Sequence, residues 1–425
     1  MKKVGVAILG LGVVGGGTYK ILTDKKDYFM KTKNLDVTVE SVLERNQDRI
    51  KALGIDPSIV AGNIEEVISN PNVDVVVEVM GGIEPAKSFV LKAIMSGKSV
   101  VTSNKEMFAK NWQELEAEAE IMNVGLYFEA SCVGGVPIIR TLTESLQGDK
   151  ITSIKGIING TTNYILTKMS ESGASYEEAL KEAQKLGYAE ANPTADVEGF
   201  DAMYKLSILS SLAFKTKVPL EKIYRTGITG IDKEDISIAK DLGYSVKLLA
   251  VGNNTDDGIE VRVNPALVNK NNPLASINDS FNAVQIAGDA VGDVMLTGRG
   301  AGALPTGSAI VSDVIFAGSR GYYQGYGKFE NDKKGEAKFV EDFTSAYYVK
   351  FEANAETGAS AKVLSVFAKH NVNVKLAKEY GADDGKVKIV VITSVCRESS
   401  VNKAIDKLTG ADSEFNLQTV LKVED

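Results

Sequence analysis

Carboxylates and a lysine gather in the segment Ala183–Lys205, AQKLGYAEANPTADVEGFDAMYK, where Glu190, Asp196, Glu198 and Asp201 precede Lys205 around a turn broken by glycine and proline. Side chains of these types can hold an ammonium group, move a proton, or stabilise charge growing on a carbonyl oxygen. Asp201 and Lys205 are four residues apart and share one face of any helix that carries them. The same spacing suits an ordinary surface ion pair of small energetic weight, so spacing alone leaves both readings open. The face continues through Ile208, Leu209 and Leu212, which sets the pair along an apolar wall.

The elements around this segment are legible from local rules. Ser175 opens a capping box with Glu178, and Gly187 stands where a helix ends. Asn192-Pro193 forbids a further helix until about Asp196. From Asp201 to Phe214 apolar side chains occupy nearly every face, which predicts a buried helix. The single histidine, His370, falls at the end of another predicted helix near the C-terminus. Acid–base chemistry therefore rests with Lys, Asp, Glu or Tyr, against serine triads and histidine-based hydride transfer.

Composition bounds the rest. A chain of 425 residues predicts two or three domains. With 44% apolar and 24% charged residues and a net charge of -8, it reads as a soluble globular protein without a basic patch for nucleic acid. No apolar run reaches the ~18 residues needed to span a membrane. The two cysteines, Cys132 and Cys396, are too far apart in sequence to suggest a disulfide framework or a zinc site, and a reducing cytoplasm fits.

The apolar run Val4–Leu9 is followed at once by Gly10-Leu11-Gly12-Val13-Val14-Gly15 and helix-forming residues. Strand, glycine turn and helix together predict a dinucleotide site, with the pyrophosphate at the helix N-terminus. Strand-like runs at Asp36–Leu43, Asp74–Val79, Ser99–Val101 and Gly125–Phe128, alternating with helical patterns, predict a doubly wound parallel sheet of Rossmann type. At the tip of the second strand, Glu44 would suit the ribose hydroxyls of NAD, whereas Arg45, with Arg49 and Lys51 nearby, favours the 2′-phosphate of NADP. Ser103-Asn104-Lys105 follows the fourth strand at the edge where ligands bind. The small-residue loop from Glu129 through Cys132, Gly134 and Val136 could turn carbonyls toward one cation, or could simply cross between domains. Cys132 also raises a rival chemistry, thiol attack on an aldehyde, although no base is near in sequence.

A second domain is expected from about residue 132 to 302, with a strand Ile151–Ile158, a turn Asn159-Gly160-Thr161-Thr162-Asn163, a helix from near Tyr164, and strands enough for a mixed sheet. A helix at about 303–318, after the glycine-rich Gly298–Gly302, is expected to return to the first domain, residues 1–131. Residues 319–345 read as a linker. Residues 346–425 follow as strand, helix, strand, strand, helix, strand, a βαββαβ ferredoxin-like module expected to be dispensable for chemistry.

Over essentially its whole length the chain resembles the homoserine dehydrogenases. The resemblance rests on the glycine motif, on Ser103-Asn104-Lys105, on Asn159-Gly-Thr-Thr-Asn-Tyr-Ile-Leu166, and above all on Gly187-Tyr-Ala-Glu190 and Asp196-Val-Glu-Gly-Phe-Asp201 with Lys205. It implies interconversion of L-aspartate 4-semialdehyde and L-homoserine, in threonine and methionine biosynthesis, with a nicotinamide cofactor that the Arg45 cluster marks as NADP in preference to NAD. Lys205 would be the proton donor and acceptor, Asp201 and Glu190 would hold the amino acid's ammonium group, and Lys105 would sit beside the reacting oxygen. Cofactor contacts are expected from the glycine loop (Gly10, Leu11, Gly12, Val13, Val14, Gly15) and from Arg45, Ser103, Lys105 and Gly302. The resemblance also implies a sodium ion on backbone atoms of Glu129, Cys132, Gly134 and Val136, and a homodimer or larger homo-oligomer. The tail resembles ACT modules, which implies an amino-acid effector such as threonine; Ala355-Glu-Thr-Gly358 departs from their common Asp-x-Pro-Gly. The alternatives are a Cys132-dependent semialdehyde dehydrogenase and a non-catalytic nucleotide or amino-acid sensor.

Overall fold

The computed structural model describes residues 1–320, 337–381, 385–410 and 413–425. Most of the expected linker, residues 321–336, lies outside the described residues. The first sheet has five parallel strands, β1 (Lys2–Leu9), β2 (Leu35–Leu43), β3 (Val75–Glu78), β4 (Ser99–Thr102) and β5 (Leu126–Tyr127), in the order β2-β1-β3-β4-β5. Its strands are nearly continuous apolar runs because helices cover both faces. On one face the helices Val13–Asp24 and Ala303–Arg320 share a core with Val4, Val6 and Ile8. The two helices cross closely at Gly17, where a Cβ would lie 2.2 Å from the Ala303 carbonyl oxygen. On the other face Val90, Ile94, Met107 and Phe108 pack against Ala7 and Leu9.

The second sheet is mixed and has eleven strands: β6 (Ile151–Ile157), β7 (Tyr224–Arg225), β8 (Tyr244–Thr255), β9 (Gly258–Asn269), β10 (Phe281–Gly288), β11 (Gly292–Arg299), β12 (Thr344–Asn354), β13 (Val374–Gly381), β14 (Lys386–Thr393), β15 (Cys396–Arg397) and β16 (Asn416–Glu424). The helices Gly160–Ser172 and Phe200–Phe214 pack on it, the latter buried on almost every face as its sequence predicts. Helix Tyr176–Lys185 carries the expected capping box, and Gly187 follows its last turn at φ +78°. The stretch Asn159–Asn163, expected as a turn, is instead a cap and first helical turn: the Asn159 side chain accepts from the Thr162 N–H at 2.9 Å. Four short or polar helices, Lys26–Lys33, Gln47–Ala52, Ile64–Ser69 and Lys233–Asp241, show too little apolar periodicity to be read from sequence.

The C-terminal strands and helices have the expected βαββαβ order, with β15 as a short addition. They are not set apart from the middle of the chain. β16 pairs in parallel with β9, Lys422 opposite Ala266 and Glu424 opposite Val268, so one sheet runs through both. Ionic contacts run along the seam: the buried Arg262 guanidinium bonds Glu260, Asn264 and Glu424, and Lys155 reaches Glu424 at 2.6 Å. Nearby, buried Lys350 pairs with Asp235 at 2.8 Å, and Asp235 also accepts from Tyr348 and Thr419. Cutting the chain before β12 would expose the β9 edge and leave Arg262 without Glu424, a physical obstacle to the expected dispensability.

Removing one partner of a buried ion pair strands the other charge. Glu424→Ala should therefore destabilise the protein by about 3 kcal/mol, read as a lower thermal midpoint; an unchanged midpoint would show that Glu260 and Asn264 suffice for Arg262.

Candidate active site

The helix Phe200–Phe214 starts from Gly199, held at φ +78° where a Cβ would press on the Val263 side chain at 3.2 Å. This start buries the first-turn Asp201 (6% exposed) and, one turn on, Lys205 (9% exposed). The Lys205 ammonium donates to the Asp201 carboxylate at 2.6 Å and to the Ile158 carbonyl, just past the end of β6, at 2.8 Å. The bland reading of this pair as a solvated helix bridge does not fit its burial. Lys105, the first residue of helix Lys105–Met122, reaches the other Asp201 oxygen at 3.3 Å from a side chain that is 41% exposed. Asn159 closes the cluster, its amide donating to Asp201 at 2.8 Å and to Asp196 at 2.7 Å.

Burial alone would raise the Asp201 carboxyl, but the Lys205 and Lys105 charges and the Asn159 amide hold it well below the usual carboxylate range. Asp196 is pushed up, first by burial and then by the Asp201 charge. The charge of Asp201 in turn raises Lys105 against the opposing effect of burial. The result is one firmly ionised carboxylate with an ammonium on each oxygen and a second, weaker acid beside it. Lys205 retains one ammonium hydrogen with no acceptor among the described residues, available to an incoming oxygen.

Asp201, Lys205 and Lys105 thus come together. Glu190 does not join them: it is exposed on the loop after Gly187, and among the described residues only its backbone carbonyl is engaged, by the Gln184 amide at 3.1 Å. Glu198 turns away to Thr229. Asp196, which the sequence groups with Asp201 without giving it a role, is a member of the cluster, and so is Asn159, which the sequence marks only as part of a turn; an asparagine directly after a strand and before a helix is an N-cap signal that could have marked it.

Two strands away along the first sheet's carboxyl edge, Gly10 adopts φ +94°, and a Cβ on Gly15 would lie 2.0 Å from the Gly10 carbonyl oxygen. A Cβ on Gly12 would meet nothing within 4 Å, so open space fronts the N-terminus of helix Val13–Asp24, whose first turn has no acid and no side-chain cap. Leu11 is buried, Val13 is 73% exposed and Val14 packs at the edge of the core. This cradle fits a pyrophosphate. Glu44 is already committed: its carboxylate accepts the N–H groups of Leu11, Arg45 and Asn46 at 2.7–2.8 Å. Arg45 is exposed with no partner among the described residues. Ser103 lies beside Lys105, and Gly302, at φ +115°, precedes helix Ala303–Arg320.

In the loop 129–136, Val133 and Gly134 take positive φ in succession, +56° and +49°, and reverse the chain. The Cys132 and Gly134 carbonyls have no donor among the described residues, as a hard-cation site requires. The Glu129 carbonyl receives only a long 3.4 Å contact from Cys132 N–H, whereas the Val136 carbonyl accepts from Ile138 at 2.8 Å. The Glu129 carboxylate is taken by the Ile139 and Arg140 N–H groups. The Cys132 thiol is fully buried, and burial pushes it up to about 12.

A family model described as "Homoserine dehydrogenase" matches residues 137–315, and one described as "Homoserine dehydrogenase, NAD binding domain" matches residues 10–129. Homoserine dehydrogenase of Bacillus subtilis (strain 168) is 38% identical over 432 residues, covering 100% of this chain and 99% of that protein. The crystal structure of a homoserine dehydrogenase from Thiobacillus denitrificans superposes with a TM-score of 0.93 at 36% identity, covering 100% of this chain and 99% of that one. A hyperthermophilic archaeal homoserine dehydrogenase in complex with NADPH gives a TM-score of 0.63 at 29% identity, covering 74% and 97%.

A thiol nucleophile must be ionised and reachable, and Cys132 is neither. Iodoacetamide at pH 8 is expected to leave Cys132 unmodified in the native protein, and Cys132→Ser to keep turnover within about twofold of the parent; loss of turnover by either treatment at this residue would revive the thiol chemistry.

Proposed function

The chain belongs to the homoserine dehydrogenase family, whose members interconvert L-aspartate 4-semialdehyde and L-homoserine with NAD(P)H, and from that premise we propose that Lys205 carries the proton in this reaction. The observation behind this reading is the buried Asp201 carboxylate shared between Lys205 and Lys105. A nicotinamide cofactor, when bound, supplies or takes the hydride. As charge builds on the aldehyde oxygen, Lys205 stabilises it and gives up a proton; in the opposite direction it takes the proton back. Lys105 adds a second positive charge beside that oxygen. Asp201 holds the substrate's ammonium group and keeps both lysines in place, and Glu190, exposed on its loop and apart from the cluster here, would complete the ammonium site.

The glycine loop, with Ser103, Lys105 and Gly302, would hold the cofactor. We read it as NADP in preference to NAD, because Glu44 is occupied by backbone amides while Arg45 is free to meet a 2′-phosphate. The relative bound to NADPH supports the same choice. Backbone atoms at Glu129, Cys132, Gly134 and Val136 would hold sodium; the two free carbonyls support this, and the bonded Val136 carbonyl would have to be shared. Residues 346–425 would act as an ACT-like regulatory unit, with threonine as its effector. A homodimer formed through the middle region, residues 132–302, in the cytoplasm completes the reading.

Lys205→Met is expected to lower kcat for homoserine oxidation by about two to four orders of magnitude while cofactor affinity survives. Asp201→Asn should act chiefly on the KM for homoserine. A near-normal kcat in the lysine variant would exclude Lys205 as the acid and base. Separately, Arg45→Ala should raise the KM for NADP at least about tenfold, the scale of one lost charge-assisted phosphate contact, and barely move that for NAD; equal changes would assign the arginine another task.

A further inference from the structure

Glu78 is the last residue of β3, is 0% exposed, and takes no part in the cluster around Asp201. In register it lies between Leu9, which ends β1 just before the glycine loop, and Thr102, which ends β4 just before Ser103-Asn104-Lys105. Its carboxylate accepts from the Thr102 hydroxyl at 2.6 Å and from the Met80 N–H at 2.8 Å, with the Gly81 N–H and the Asn104 amide also directed at it. The Thr102 oxygen in turn accepts from the Asn104 N–H at 3.0 Å. Asn104 caps helix Lys105–Met122 through the Met107 N–H at 3.1 Å and donates to the Gly82 carbonyl at 2.6 Å. Gly81 and Gly82 are both left-handed, at φ +78° and +71°, and a Cβ on Gly81 would meet nothing within 4 Å.

Two loops therefore hang on one buried carboxylate: the arch Met80–Gly82 and the turn Thr102–Lys105. The arch borders open space on the side of the glycine loop away from Arg45, which is the side the nicotinamide half must occupy if Arg45 meets the 2′-phosphate. A carboxylate at the end of a buried parallel strand, with no cation bonded to it among the described residues, is a costly choice where an apolar side chain would pack. The donors it collects show what it does there.

We propose that Glu78 is a positioning residue: it locks the Met80–Gly82 arch and the Thr102–Lys105 turn into one body, which fixes the Lys105 ammonium against Asp201 and sets the surface on which the nicotinamide ring is seated. This rests on the reaction assigned above. It predicts that loosening the lock disturbs the chemical step more than it disturbs cofactor affinity, since misplacement by about 1 Å can cost about 100-fold in rate.

The test uses three full-length variants. Thr102→Val removes the hydroxyl and keeps the shape, Thr102→Ser keeps the hydroxyl, and Glu78→Gln keeps the size while changing the donor pattern. For each, NADPH binding by fluorescence gives the competent fraction, and homoserine oxidation is followed with ordinary substrate and with substrate deuterated at the carbinol carbon. Thr102→Val and Glu78→Gln should lose about 10- to 100-fold in kcat per bound cofactor, with a larger isotope effect on kcat, while Thr102→Ser stays within about threefold of the parent. If Glu78→Gln fails to fold, the valine and serine variants decide alone. Unchanged kcat and isotope effect in Thr102→Val, with or without a lower thermal midpoint, would overturn the proposal and leave a purely structural carboxylate. A parent enzyme without homoserine turnover would overturn the reaction assignment, and this inference with it.

Discussion

A carboxylate with about one-twentieth of its surface exposed must be met by charge or by several donors, and Asp201 is met by both. Its partners come from separate parts of the chain: Lys205 from its own helix, Asn159 from the end of β6, and Lys105 from the carboxyl edge of the parallel sheet. Satisfying this one group therefore joins the parallel sheet to the mixed sheet at the cluster proposed to receive the substrate. The same demand accounts for the local geometry. Gly199 lets the helix begin tightly against β9, and Asn159 caps its own helix with one atom while bridging two acids with another.

Similar logic holds the C-terminal strands to the middle of the chain. Arg262 is buried in β9 and takes acceptors from its own strand and from Glu424 of β16. β9 also bonds β7, and the Arg225 guanidinium of β7 lies 3.6 Å over the Phe200 ring at the start of the Asp201 helix. The last strand of the chain is thus two strands from the element that positions Asp201, and the sheet between them is continuous.

Much of this was legible from local rules. The alternation of apolar runs and helical patterns marks the parallel sheet, the capping box and Gly187 mark helix Tyr176–Lys185, and an apolar surface on every side marks the buried helix that bears Asp201 and Lys205. What escaped is non-local. Nothing near Lys105 in sequence says that it faces Asp201, and nothing in residues 416–424 says that they pair with β9. Glu44 has the residue type that contacts ribose, and nothing in its sequence context says that three backbone amides also bond its carboxylate. Asn159 was concealed by its neighbours, because glycine and asparagine in Asn159–Asn163 suit a turn as well as a helix start.

In the proposed reaction Lys105 and Asp201, from two layers of the molecule, act as one unit on the reacting oxygen and its substrate. Coupled residues lose activity non-additively, and independent ones multiply their losses. The direct measurement is kcat/KM for L-homoserine oxidation in the parent, Lys105→Met, Asp201→Asn and the double variant, each at saturating NADP. If the two act together, the double variant should be at least about tenfold more active than the product of the single losses, a coupling of roughly 1.4 kcal/mol or more. Losses that simply multiply would contradict it.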